Sequence, residues 1–249
     1  MIRYMIFCFK HFKKIIIVFI SLIFVCVLFY NKDSFLKKIG EATFGGCCYN
    51  LTVARVAYTA MAWQPFDKKP PRWAHHQLAR IYFVRGDFNT ALTYIDRETK
   101  DYPDNLNAYY IKGLILGFMN NNHEAIGVFK YYTSQTHTWA GHNDLAWLQF
   151  RTGDYAGALA TIDKVMGTYT DNVWLLNTRA ICLHNLNRDK EAKIDIDKAV
   201  IHLKDMTPER WGASYPGNDP SVYREGLAQM KKSVEENKKL IYQSVYKVL

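Results

Sequence analysis

Three short stretches carry the side chains that acid–base or metal chemistry requires: HHQ at 75–77, GHND at 141–144, and an isolated His184. An imidazole shuttles protons near neutral pH or binds zinc, and a neighbouring carboxylate completes either kind of site. Held on one helix, the members of such a site must stand three or four residues apart to share a face. No carboxylate or second histidine stands at that distance from any of these histidines. The five cysteines offer no zinc spacing, and the adjacent Cys47 and Cys48 are poorly placed to bridge each other. A glycine-rich phosphate loop, a nucleophile elbow and a Cys-x-x-Cys pair are all absent. The reading is therefore of a chain with no catalysis of its own, no metal and no cofactor. The alternative is an enzyme, or an accessory subunit of a cell-envelope transferase complex, using His142, Asp144 or His184.

The elements that would position these residues show as a repetition. LARIYFVRGDFNTALTYID at 78–96 returns 67 positions later as LAWLQFRTGDYAGALATID, with nine of nineteen residues identical. A shift of 34 sets Gly113 opposite Ala79 and Ala125 opposite Ala91, and 34 beyond Ala146 and Ala158 stand Ala180 and Ala192. Four units result, beginning near Arg72, Leu106, Trp139 and Val173. Each holds two helical patterns, with a small residue midway along the first and an alanine early in the second. Small side chains let two helix axes approach, while Leu78, Tyr82, Phe129 and Ile162 fill the space between them. At the breaks, Gly86-Asp87 and Gly153-Asp154 pair a residue suited to a left-handed helix end with a helix cap. Asn120-Asn121-Asn122 and Asn187-Arg188-Asp189 fill the same place in the second and fourth units, and asparagine is the next most tolerant of that conformation.

The pattern Leu78, Ala79, Tyr82, Gly86, Asp87, Phe88 and Ala91, closed by Pro103, resembles the tetratricopeptide repeat. The resemblance spans about 72–205, and Leu51–Pro65 looks like the second helix of a further, incomplete unit. It implies an all-α, right-handed superhelical solenoid of helix-turn-helix repeats, with a concave groove lined by the first helix of each unit. By the same resemblance, the groove positions are Trp73, His76, Arg80 and Phe83, then Asn107, Tyr110, Leu114 and Gly117. They continue with Ala140, Asn143, Trp147 and Phe150, then Trp174, Asn177, Ile181 and His184, with Arg151 one step on. Rings alternate there with amides and a few cations, a mixture suited to an extended peptide. Phe83 and Phe150 suit the core equally well. The lysine-and-asparagine clamp with which some members of the family hold a terminal carboxylate is not reproduced.

Outside the repeats the ends of the chain differ in character. Residues 1–14 form a basic tail, and residues 15–30 are sixteen positions without an ionisable group apart from Tyr30. As a helix this run spans about 24 Å, close to the ~30 Å of a hydrocarbon core once flanking lysine stems extend it, which suits a single uncleaved anchor. Four Lys/Arg precede the run and three follow it, a bias that favours a cytoplasmic N-terminus and extracytoplasmic repeats; cytoplasmic repeats are the alternative. Residues 1–41 carry a net +5 of the overall +9, so the remaining surface is too evenly mixed for a nucleic-acid stripe. Residues 31–48 read as linker, 49–71 as the half-repeat helix with its loop, 206–219 as a turn-rich connector, and 220–249 as a long C-terminal helix. In that helix Leu227, Met230, Val234, Ile241, Val245 and Val248 follow helical spacing, suited to capping the last repeat. Asn237 interrupts them, so the distal half also suits pairing with another chain as a homo-oligomer, with Asn237 setting the register. The expected protein is a membrane-anchored scaffold binding a protein or extended peptide, with no nucleic-acid partner.

Overall fold

The structure, a computed structural model, describes residues 32–44, 48–64, 69–214 and 223–243. Among them only helices and turns occur: α1 (32–44), α2 (Leu51–Ala62), α3 (Ala74–Val84), α4 (Phe88–Asp101), α5 (Leu106–Phe118), α6 (Asn122–Gln135), α7 (Trp139–Arg151), α8 (Tyr155–Met166), α9 (Val173–Asn185), α10 (Asp189–Lys204), α11 (Pro208–Ala213) and α12 (Tyr223–Gln243). The pairs α3–α4, α5–α6, α7–α8 and α9–α10 each pack together. Helices α5, α7 and α9 each also pack on both helices of the pair before, which makes the array a solenoid.

Local backbone chemistry sets the breaks. Gly86, Asn120, Gly153 and Asn187 follow α3, α5, α7 and α9 with φ of 77°, 60°, 84° and 59°, all left-handed. Asp87 and Asp154 then cap α4 and α8, accepting from the amides of Thr90 and Gly157 at 3.1 and 2.9 Å. The second and fourth units restart without a side-chain cap. Asn121 donates instead to Glu124, and Arg188 forms a two-pronged pair with Glu191. Ala79, Ala146 and Ala180 in the first helices, and Ala91, Ala125, Ala158 and Ala192 in the second, are completely buried. A Cβ on Gly113 would stand 2.6 Å from the Phe129 ring, so the closest approach of α5 and α6 needs glycine there.

Residues 32–44, read as part of a linker, are helical. Gly40, Gly45 and Gly46 suggest a loop, since glycine weakens a helix interior. Gly40, however, is where the Tyr58 ring packs against α1, and Phe44 is buried in a cluster with Ala54, Tyr58 and Leu78. The incomplete unit is thus a full helix pair. The connector also contains structure: Thr207 caps α11, with Pro208 in its first turn.

Helix α12 buries Leu227, Val234 and Ile241 against the core shared by α9 and α10. It packs on α10 and α9 as α5 packs on α4 and α3, occupying the place of a next first helix. Asn237 donates to Asn177 Oδ1 of the same chain at 2.9 Å, so its partner here is intramolecular rather than the second chain of the alternative reading. Val245 and Val248 lie outside the described residues, as does the apolar run Ile15–Tyr30. Among the described residues no helix is long and apolar enough to cross a membrane.

Candidate peptide-binding groove

The first helices bring the expected residues together over the first three units but not the fourth. A cavity of about 640 Å³ is lined by Trp73, His76, Arg80 and Phe83 of α3 and by Asn107, Tyr110 and Leu114 of α5. A second, of about 400 Å³, continues between α5 and α7 along Leu114, Gly117, Trp147 and Arg151. Asp144 and Phe118 line both, so the two hollows form one trough.

At one end the backbone of Trp73 is left-handed, φ 78°, an uncommon state for a bulky residue. The buried carboxylate of Glu98 holds it there, accepting from the amides of Trp73 at 2.9 Å and His76 at 3.3 Å and from Asn105 Nδ2 at 2.9 Å. The Trp73 ring meets His76 edge-on at 5.0 Å. Burial, and then the charge of Arg80, push the His76 pKa down to about 3, so the ring is neutral, and its Nδ1 is buried without a hydrogen-bond partner. The Arg80 guanidinium lies 4.6 Å from the Phe44 ring centroid and donates to Gln77 Oε1 at 2.9 Å. Burial lowers its pKa.

In the middle of the trough Tyr110 donates to Asp144 Oδ2 at 2.8 Å. Burial pushes that carboxyl up to about 6 against the opposing bonds from Tyr110 and Asn143. At the far end Trp147 is half exposed and stacks on Phe150, 5.4 Å between centroids and 12° between planes. Arg151 donates to Asn120 Oδ1 at 2.8 Å.

The remaining expected residues are engaged within the chain. Asn143 accepts from Thr178 at 2.9 Å, and Asn177 from Asn237. His184 pairs with Asp189 at 2.7 Å, and Trp174 is buried against Trp139 at 5.1 Å. In the fourth unit these positions are therefore engaged by three neighbouring helices, Trp174 by α7, His184 by α10 and Asn177 by α12. His142 is buried, with Nδ1 2.9 Å from the Thr138 carbonyl, so His142, Asp144 and His184 each face a different partner. Among the described residues no group of three His, Cys, Asp or Glu is placed to hold a metal ion.

Among the lining residues, Phe44, Ser214 and Phe118 escaped the sequence reading. Phe44 comes from α1 and Ser214 from the end of α11, both in segments read as connections. Phe118 is exposed at the last position of α5, one residue beyond the Gly117 that the repeat register selects.

The tetratricopeptide repeat family model matches residues 72–97 and 139–164, so the first and third units are repeats of this type by sequence as well as by geometry. The fold is shared with solved structures. MamA is 16% identical with a TM-score of 0.58, covering 74% of this chain and 96% of its own. MamA AMB-1 is 14% identical with a TM-score of 0.58, covering 75% of this chain and 98% of its own. YrrB, described as a TPR protein with an unusual peptide-binding site, is 14% identical with a TM-score of 0.59, covering 73% and 93%. No curated protein matches the sequence.

Proposed function

We propose that this chain is a membrane-anchored scaffold that holds an extended peptide segment of a protein partner in the trough along α3, α5 and α7. One observation carries the reading: a continuous concavity lined by exposed or half-exposed rings, with a few polar groups set among them. Phe118 and Trp147 offer anchoring area, and Asn107 and Gln77 offer bonds to a peptide backbone. The shared fold of YrrB, described with an unusual peptide-binding site, supports a peptide as the kind of ligand. The apolar run Ile15–Tyr30 supplies the anchor, and the basic residues ahead of it favour repeats on the extracytoplasmic side.

A photocrosslinking residue at position 147, in the full chain in its own membrane, tests the reading, with position 130 on the outer helix α6 as control. A defined protein captured from 147 and not from 130 is the expected result; capture from 130 alone would overturn it. With that partner in hand, Trp147→Ala plus Phe118→Ala should weaken binding by at least ~2 kcal/mol, the size of a hot spot, with the helical circular dichroism unchanged.

A further inference from the structure

The first helix pair ends the stack on a face that no other described helix covers. Helix α2 turns Ala54, Tyr58 and Met61 inward, onto the cluster that includes Ala74 and Leu78 of α3. Val53, Val56 and Trp63 stand on its other side, 41%, 59% and 62% exposed, at spacings that keep them in one stripe. Helix α1 adds Phe35, 61% exposed. The two helices meet at this edge. Lys32 Nζ donates to the Trp63 carbonyl at 2.9 Å and stands 5.5 Å from its ring centroid, and Phe35 lies one turn along α1 from Lys32.

The terminal unit of a solenoid is ordinarily finished with a polar outer face. Here the end presents two aromatic rings and two valines with lysines around them. That combination suits a bilayer interface, where rings sit at headgroup level and amines reach the phosphates. The apolar run ends at Tyr30, two residues before α1 begins at 32, so this edge stands close to the point where the run enters a membrane. Helices α1 and α2 carry Lys32, Lys37, Lys38 and Arg55 against Asp33 and Glu41, an excess suited to anionic lipid.

We infer that the α1–α2 end face docks on the lipid surface, with Trp63 and Phe35 in the interfacial layer, and so fixes the direction in which the trough opens. The inference rests on the anchor reading above. Its test uses the full chain in vesicles of zwitterionic and anionic phospholipid, with lipids brominated high on the acyl chains as short-range quenchers of tryptophan fluorescence. Quenching that is mostly lost in Trp63→Phe is the expected result, with Val56→Glu reducing it in part. Co-flotation with the vesicles without quenching, or quenching that survives Trp63→Phe, would overturn the docking and leave the anchor standing. A chain that fails to co-float removes the anchor and the docking together. Shielding of Trp63 from aqueous acrylamide without bromolipid quenching would mean that protein, such as a second copy, covers the face, and would also overturn it.

Discussion

Asp144 shows how a groove residue trades stability for readiness to bind. Its carboxyl is pushed from the ordinary 3.8 to about 6 by burial, with Tyr110 and Asn143 only partly offsetting the cost. The folded state therefore holds the proton more tightly than the unfolded chain does. The resulting stabilisation is present below about pH 4 and is lost as pH rises through about 6. Asp144→Asn keeps an acceptor for Tyr110 and removes the buried charge, so it should stabilise the fold at pH 7.5 by about 1–2 kcal/mol and by almost nothing at pH 4. Urea unfolding at the two pH values reads this directly, and an equal gain at both would contradict the assignment. Cys182 is the opposite kind of residue: its thiol is buried and pushed up to about 12, so it should resist alkylation in the native chain and react only on unfolding. At this scale the sequence was legible where a position follows the repeat register, as at Arg80, Leu114 and Trp147. It was not legible at Asn177, because the residue that engages it, Asn237, is 60 positions away on a helix outside the register.

Among the elements, the breaks between helices were the most legible feature, because a left-handed residue is a local requirement that local sequence satisfies. Gly86 isolates that requirement, since a Cβ there would meet nothing within 4 Å and only the backbone conformation would resist it. Gly86→Ala should therefore cost about 1 kcal/mol in thermal or urea unfolding, whereas Asn187→Gly, at φ 59°, should cost nothing. Helix α1 was illegible for the reverse reason. Its glycine argues against a helix locally, and only the distant Tyr58 ring accounts for it. Phe44 is 2% exposed in that contact and also forms part of the trough beside Arg80, so Phe44→Ala should destabilise the chain by about 3 kcal/mol and loosen Arg80 with it. An unchanged unfolding midpoint would show that α1 is not part of the folded core.

Across the whole molecule the two ends of the stack are finished differently. At the C-terminal end α12 takes the place of a further first helix, while the N-terminal end leaves Phe35, Val56 and Trp63 uncovered. Chain order explains the asymmetry if the N-terminal end is the one nearest a membrane. Under the proposed anchor, the sixteen-residue run Ile15–Tyr30 would bury many methylenes at about 0.8 kcal/mol each, a transfer free energy sufficient to keep it in a bilayer. On the same proposal Arg3, Lys10, Lys13 and Lys14 ahead of it favour retention of the tail in the cytoplasm, which would carry α1 to α12 to the other side. Sodium carbonate should then fail to extract the chain. A broad-specificity protease added to intact spheroplasts should digest the repeats. Survival of the repeats under conditions that digest a known external domain would reverse the orientation, placing the trough and its partner in the cytoplasm without altering the fold that forms it.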